Sequence, residues 1–126
     1  MKATDSMNDN RLLIVDDDQD TCANMSDILT NCGYSVDVAC DERGGLDLLK
    51  LYPYRLALLD LNMPDTTGVE LFQRMRQLHQ GIEGVLVTAF SSTKTTNEAL
   101  AAGFKQVVEK PVEISTLLRV IEQALA

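Results

Sequence analysis

The sequence has few cysteines, few basic residues and no long apolar stretch, and each shortage excludes a class of protein. Three cysteines in 126 residues, without the spacing of zinc or redox motifs, do not make a disulfide scaffold. No apolar run approaches the roughly 20 residues that a membrane span requires, and the polar N-terminus lacks a signal-peptide core. We therefore expect a cytoplasmic protein with reduced thiols and no membrane contact.

The shortage of positive charge also limits the partners. Nineteen acidic residues stand against eleven basic ones, which gives a formal net charge of −8. Because phosphate contacts need clustered lysine and arginine, we expect no direct nucleic-acid binding by this chain. Most of the acids are expected on the solvated surface, but a few stand where apolar runs end, a place where carboxylates are usually absent.

Apolar runs alternate with amphipathic segments from Arg11 onward. The apolar runs cover residues 12–15, 35–38, 56–59, 85–87 and 107–108. Four of them are continuous, as in parallel strands covered on both faces, whereas the run at 35–38 alternates as an edge strand does. The amphipathic segments predict helices over residues 19–31, 42–51, 69–79, 95–102 and 115–124. This order predicts one α/β domain over residues 11–126, a doubly wound parallel sheet, after a loose leader at residues 1–10.

Single residues fit this division of the chain. Asp18 stands where the first helix needs an N-cap, and Gly33 stands just after its predicted end. The three cysteines, Met25 and Met75 are interpreted as core residues. The lone His79 lies at a predicted helix end, where we expect an exposed side chain rather than a phosphohistidine.

Polar residues follow four of the predicted strands, and these are Asp16, Asp17, Asp60, Thr88 and Lys110. Each residue alone has an ordinary explanation as a cap or turn residue. Ligands bind outside the carboxyl ends of parallel strands, however, so the five side chains are expected to meet. Carboxylates crowded together need a cation, and an oxygen-only ligand set favours Mg²⁺. Carboxylate, divalent cation, lysine and hydroxyl together predict phosphoryl transfer, with an aspartate as acceptor.

Four stretches of the chain resemble the receiver domains of response regulators in two-component signalling. They read LLIVDDD at 12–18, ALLDLNMPDTTGVEL at 57–71, VLVTAF at 85–90 and EALAAGFKQVVEKPV at 98–112. The resemblance implies the flavodoxin-like (βα)5 fold with strand order 2-1-3-4-5. It also implies a phosphorylation-dependent signalling switch rather than an enzyme, with only self-phosphorylation and autodephosphorylation chemistry of its own.

The resemblance implies a role for each acidic residue. Asp60 would be the phospho-acceptor and also a ligand of Mg²⁺, for which Mn²⁺ would be a substitute. Asp17 would hold the metal directly and Asp16 largely through water. Asn62 would contribute its backbone carbonyl to the same ion.

The switch would depend on residues after the fourth and fifth strands. Thr88 and Lys110 would bind phosphoryl oxygens, and the bond from Lys110 to Pro111 is often cis in this family. Relatives usually carry an aromatic residue where this chain has Val107, which is too small and too stiff to act as a rotating ring. Phe90 cannot orient an attacking water by hydrogen bonding, so we expect slow autodephosphorylation.

Partners are implied in the same way. A sensor histidine kinase or a histidine phosphotransfer protein would supply the phosphoryl group. A downstream output domain or protein would contact the face of helix 4, strand 5 and helix 5, roughly residues 95–126. Whether the chain acts alone or with an attached output domain stays open.

Three other functions fit parts of the sequence. A calcium loop starting at Asp16 would need glycine where Thr21 stands. An aspartyl-nucleophile phosphatase would need threonine or valine where Asp20 stands, together with a cap domain. An interaction module that keeps the fold without phosphate is favoured slightly by Val107 and opposed by the retained acidic residues, threonine and lysine.

Overall fold

Five strands and five helices alternate in the computed structural model, which describes residues 11–89 and 91–126. The strands are β1 (Arg11–Val15), β2 (Ser35–Ala39), β3 (Leu56–Asp60), β4 (Glu83–Thr88) and β5 (Gln106–Glu109). The helices are α1 (Gln19–Asn31), α2 (Glu42–Leu51), α3 (Gly68–Leu78), α4 (Thr93–Ala101) and α5 (Ile114–Leu125). The predicted elements are all present and differ from these only at their ends. The predicted leader at residues 1–10 and Phe90 lie outside the described residues.

The strands form one parallel sheet in the order β2-β1-β3-β4-β5, as the resemblance implied. The chain leaves β1 toward β2 on one side and returns to place β3 on the other. The carboxyl ends of β1 and β3 therefore flank the topological switch point, where sheets of this kind bind ligands. The alternating strand, β2, is at the edge as predicted.

The sheet is covered on both faces, which explains the continuous apolar runs. Along β1, Leu13 and Val15 pack into one buried cluster with residues of α2 and α3, whereas Leu12 and Ile14 pack into another with α1 and α5. All four side chains are fully buried. Each burial of this kind contributes roughly 1.5 to 3 kcal/mol, so β1 is anchored from both sides.

Both ends of α1 follow the sequence prediction. Asp18 caps the N-terminus, where its side chain accepts hydrogen bonds from the Asp20 N–H at 3.2 Å and the Thr21 hydroxyl at 2.7 Å. Gly33 follows the helix with a φ of 99°, a left-handed conformation that glycine adopts without steric cost. Asp18 therefore begins the helix just after the carboxyl end of β1, and Gly33 ends it near the amino end of β2.

Two predictions about single residues were wrong. Cys22 is buried, but Cys32 and Cys40 are exposed. Cys32 is the C-cap of α1, and Cys40 follows the edge strand β2, so both stand where an element leaves the core. His79 is the C-cap of α3 as expected, yet its side chain is half-buried rather than exposed. Met25 and Met75 are core residues, as predicted.

A membrane-spanning helix has to be both long and apolar. Within residues 11–89 and 91–126, every helix is too short or too polar to span a bilayer.

Candidate functional site

Three carboxylates meet at the carboxyl ends of β1 and β3. Asp16 and Asp17 follow β1, Asp60 ends β3, and the two strands are paired neighbours in the sheet. One oxygen from each carboxylate lies within 4.8 Å of the others. Asp16 and Asp60 are buried, whereas Asp17 is exposed to solvent. The predicted meeting of these side chains is confirmed.

Lys110 brings a positive charge into this cluster. Its Nζ lies 2.6 Å from Oδ2 of Asp16 and 3.4 Å from Oδ1 of Asp60. The other oxygen of Asp16, Oδ1, accepts a hydrogen bond from the Asp18 N–H at 2.9 Å. Both oxygens of Asp16 therefore already have a protein donor. The Lys110–Pro111 peptide bond is cis, as the resemblance implied.

The cluster changes the protonation equilibria of its members. Burial raises the pKa of Asp60, and repulsion by Asp16 raises it further, while Lys110 acts in the opposite direction. Burial lowers the pKa of Lys110, but its hydrogen bond to Asp16 and the nearby carboxylates outweigh that effect and raise it overall. The lysine is therefore held as an ammonium between two carboxylates.

Thr88 lies at the end of β4 and is buried, 1% exposed. Its backbone carbonyl accepts a hydrogen bond from the Lys110 N–H at 2.8 Å. In the pairing of β4 with β5, Thr88 lies opposite Glu109. The segments that carry Thr88 and Lys110 are thus joined through the backbone, which connects the two predicted phosphoryl-binding residues directly.

The loop after Asp60 carries the predicted metal ligand Asn62. Asn62 is exposed and forms an antiparallel bridge with Thr67. Gly68 begins α3 directly against Asp60, so a Cβ at this position would overlap the Asp60 carbonyl oxygen and approach Leu86 Cδ1 to 2.8 Å. Glycine is therefore required for this close approach of helix and strand.

One contact beside the acidic cluster could not be predicted from the sequence. The Cys22 thiol donates to the backbone carbonyl of Asp16 at 3.2 Å and so supports the acidic turn from inside α1. Burial, followed by the charge of Asp16, raises the pKa of Cys22 to about 11. The helical spacing of Cys22 predicted its burial, but it gave no signal for the hydrogen bond.

The donor set fits a hard divalent cation. All the candidate ligands are oxygen atoms, and the three carboxylates carry more negative charge than Lys110 offsets. Asp17 is exposed, which allows water to complete a coordination shell. Mg²⁺ is bound in this manner, through one or two carboxylates together with waters and phosphate oxygens.

Comparison with known proteins agrees with this geometry. Residues 12–122 match the family model for the response regulator receiver domain. The transcriptional regulatory protein ZraR of Escherichia coli K12 is 31% identical over 115 residues, which are 91% of this chain and 26% of ZraR. The response regulator ArlR of Staphylococcus haemolyticus is 34% identical over 114 residues, 90% of this chain and 52% of ArlR. The chain thus spans a quarter to a half of these relatives.

Solved structures show the same similarity in three dimensions. A CheY-like receiver domain protein from Methanospirillum hungatei superposes with a TM-score of 0.86 at 34% identity, covering 92% of this chain and 93% of that one. The chemotaxis protein CheY4 of Vibrio cholerae gives 0.86 at 27% identity, covering 90% and 97%. The chain therefore belongs to the receiver domain family of two-component response regulators, whose general function is that of a phosphoryl-accepting switch.

Proposed function

We propose that Asp60 accepts the phosphoryl group, supplied by a sensor histidine kinase or a histidine phosphotransfer protein. The observation that carries this proposal is the position of Asp60. Its carboxylate is buried at the switch point, within 4.8 Å of ligand oxygens of Asp16 and Asp17 and 3.4 Å from the Lys110 ammonium. An aspartate in such surroundings can act as a nucleophile while neighbouring groups offset the charge of the phosphoryl oxygens.

Receiver domains typically use Mg²⁺, and we assign its ligands here to Asp17, Asp60 and the backbone carbonyl of Asn62, with Mn²⁺ as a substitute. Asp17 is exposed and can bind an ion that keeps several waters. Asp16 already accepts hydrogen bonds at both oxygens, which favours contact through water. When bound, the cation offsets the negative charge of the carboxylates and of the incoming phosphoryl group.

The transfer exchanges one bond to phosphorus for another. An oxygen of ionised Asp60 attacks the phosphorus of the partner's phosphohistidine, a P–O bond forms, and the P–N bond breaks. The electron pair of the broken bond stays on the imidazole nitrogen. The Lys110 ammonium, 3.4 Å from the attacking carboxylate, favours its ionised form and remains close to the phosphoryl group.

Phosphorylation would change the charge and the hydrogen bonds of the site together. The phosphoryl group carries about −1.5 to −2 charges and three acceptor oxygens. We assign the hydroxyl of Thr88 and the ammonium of Lys110 as donors to these oxygens. Because the backbones of the two residues are hydrogen-bonded, the loops after β4 and β5 would respond together.

The change would be read by an output domain or protein on the face of α4, β5 and α5. Val107 lies on β5 and is partly buried against the core, so no aromatic ring at this position can transmit the state of Thr88. The signal would therefore depend on movement of the two loops. Slow autodephosphorylation, inferred from the sequence at Phe90, belongs to the same proposal, and a phosphoryl half-life of seconds would contradict it.

Intact mass after incubation with acetyl phosphate and Mg²⁺ tests the acceptor. Wild-type protein should gain about 80 Da, the mass of one phosphoryl group on a carboxylate nucleophile. Asp60→Asn should gain nothing, whereas Asp65→Asn, which changes an exposed aspartate of the following loop, should gain the same mass as wild type.

The other outcomes decide against parts of the proposal. An adduct that persists in Asp60→Asn would place the acceptor elsewhere. A folded wild-type protein that gains no mass would favour an interaction module that keeps the fold without phosphate.

A further inference from the structure

We propose that Arg74 positions the segment that presents the Asn62 carbonyl to the metal, an inference that rests on the proposed metal site. This segment, which we call the metal loop, consists of residues 61–67 between β3 and α3. Arg74 lies in α3 and does not belong to the acidic cluster. Its effect on the metal would be exerted through the loop.

The metal loop is closed by its own backbone. Asn62 and Thr67 form an antiparallel bridge, and the Met63 N–H donates to the Thr66 carbonyl at 3.1 Å. The direction of the Asn62 carbonyl is therefore fixed by the turn that Thr66 and Thr67 complete. A contact that holds Thr66 consequently holds the carbonyl that we assign to the metal.

Arg74 makes such a contact. Its Nη1 donates to Oγ1 of Thr66 at 3.2 Å and to Oε1 of Glu42 at 2.7 Å. The Thr66 hydroxyl in turn donates to Oε1 of Glu70 at 3.3 Å. One guanidinium nitrogen therefore joins the metal loop to the first residue of α2, and the hydroxyl joins it to the first turn of α3.

The contact is suited to positioning more than to stability. The Arg74 side chain is 46% exposed and that of Glu42 is 21% exposed. Ion pairs whose side chains are this exposed to solvent contribute little to the free energy of unfolding. Groups that orient a metal ligand nevertheless influence metal affinity, because the ligand must otherwise be ordered when the ion binds.

A matched control stands in the same groove. Arg43 and Arg74 both line a groove of about 590 Å³ between α2 and α3. In the part of the chain that the structure describes, Arg43 makes no hydrogen bond or ion pair, whereas Arg74 makes the contacts above. Removing either arginine takes one positive charge from the same groove. Charge alone would make Mg²⁺ bind more tightly in both variants.

The experiment is calorimetric titration of the full chain with MgCl₂. We expect Arg74→Ala to weaken Mg²⁺ binding about tenfold, the lower end of the effect of groups that orient a metal ligand. Arg43→Ala should bind as tightly as wild type or more tightly, and Arg74→Lys should lie between wild type and Arg74→Ala. Thr66→Val should weaken Mg²⁺ binding as well. In the Thr66→Val background, Arg74→Ala should cause a smaller loss of Mg²⁺ affinity than it causes in wild type, because the two residues act through one contact.

Urea unfolding in EDTA keeps these results separate from a loss of fold. All the variants should unfold at nearly the same urea concentration as wild type, because exposed ion pairs contribute little to stability. If Arg74→Ala does not fold, Thr66→Val and Arg74→Lys decide by the same titration. Equal Mg²⁺ affinity in Arg74→Ala and Arg43→Ala would overturn the positioning role.

Asp17→Asn separates this inference from the metal site on which it rests. It should abolish most of the Mg²⁺ binding that wild type shows. Equally weak binding by wild type and Asp17→Asn would overturn the proposed metal site, and the role of Arg74 with it. Tight binding by wild type, its loss in Asp17→Asn and no effect of Arg74→Ala would overturn the role of Arg74 alone.

Discussion

The Lys110 ammonium lies closer to Asp16, at 2.6 Å, than to Asp60, at 3.4 Å. In this state the lysine is bound chiefly to a residue that we do not assign as the acceptor. A phosphoryl group on Asp60 would offer three further acceptor oxygens to the same ammonium. Exchange of Lys110 from Asp16 toward Asp60 would then connect phosphorylation with movement of the loop after β5.

Replacement of Lys110 by methionine tests its charge. We expect Lys110→Met to lose about 2 kcal/mol of unfolding free energy in EDTA, because two buried carboxylates lose their counter-charge. It should bind Mg²⁺ more tightly than wild type, since no ammonium competes for Asp16. Urea unfolding and metal titration measure the two effects. The control Lys105→Met, which changes an exposed lysine, should alter neither the stability nor the Mg²⁺ affinity. Unaltered stability of Lys110→Met would contradict the ion pairing of Lys110 with Asp16 and Asp60.

The pH dependence of stability should reveal the raised pKa of Asp60. A carboxyl group whose pKa is raised on folding binds protons more tightly in the native state. The contribution of Asp60 to the free energy of unfolding is therefore most favourable below the ordinary aspartate pKa of 3.8. This contribution is lost as the pH rises through the pKa of Asp60 in the folded protein. Asparagine does not ionise, so Asp60→Asn should not lose stability in this way. At pH 7 the variant should therefore be more stable than wild type by on the order of 1 kcal/mol.

The advantage of Asp60→Asn should shrink as the pH falls toward 4, near the ordinary aspartate pKa of 3.8. Urea unfolding in EDTA at several pH values measures the difference between variant and wild type. Asp65→Asn is the control and should follow wild type throughout. An advantage that is constant with pH would mean that the titration of Asp60 is not its cause.

The sequence predicted the acidic cluster because parallel strands deliver their last residues to a common edge. Asp16, Asp60 and Lys110 each follow a recognisable apolar run, so their meeting required only the correct sheet. The strand order came from the family resemblance, since runs of buried residues do not state which strand is next to which. Cys40 shows a related limit, because its exposure depends on the position of β2 at the edge of the sheet.

The contacts of Arg74 could not have been predicted in this way. Its partner Glu42 is 32 positions away, and both residues belong to ordinary polar faces of amphipathic helices. Helical periodicity indicates that such residues face solvent, but it does not say which polar groups of neighbouring elements they contact. The pairing follows from how α2 and α3 pack on the sheet, which only the three-dimensional structure supplies.

The close approach of Gly68 to β3 makes a further prediction about stability. Gly68→Ala would place a methyl group against the Asp60 carbonyl and Leu86, and we expect it to cost about 1 to 3 kcal/mol of unfolding free energy. It should also weaken Mg²⁺ binding, because relief of the overlap moves the backbone of Asp60. Gly81→Ala is the matched control, since a Cβ there meets nothing within 4 Å. Equal stability of the two variants would contradict the close packing of Gly68 against Asp60 and Leu86.

The three cysteines should differ sharply in reactivity, which tests the support that Cys22 gives to the acidic turn. Cys32 and Cys40 are exposed, whereas Cys22 is buried with a pKa of about 11, raised by burial and by Asp16. The thiolate is the reactive form, so at pH 8 an aromatic disulfide reagent should modify Cys32 and Cys40 rapidly and Cys22 only after denaturation. Peptide mapping of the modified protein assigns each site.

Substitution of the two exposed cysteines isolates the buried thiol. In the variant Cys32→Ser with Cys40→Ser, the native protein should be nearly unreactive at pH 8, and its single thiol should become accessible in urea. Cys22→Ala should cost about 1 kcal/mol of stability, because it removes buried sulfur and the hydrogen bond to the Asp16 carbonyl. Rapid native-state modification of Cys22 would show that the acidic turn opens easily and that the thiol does not hold it.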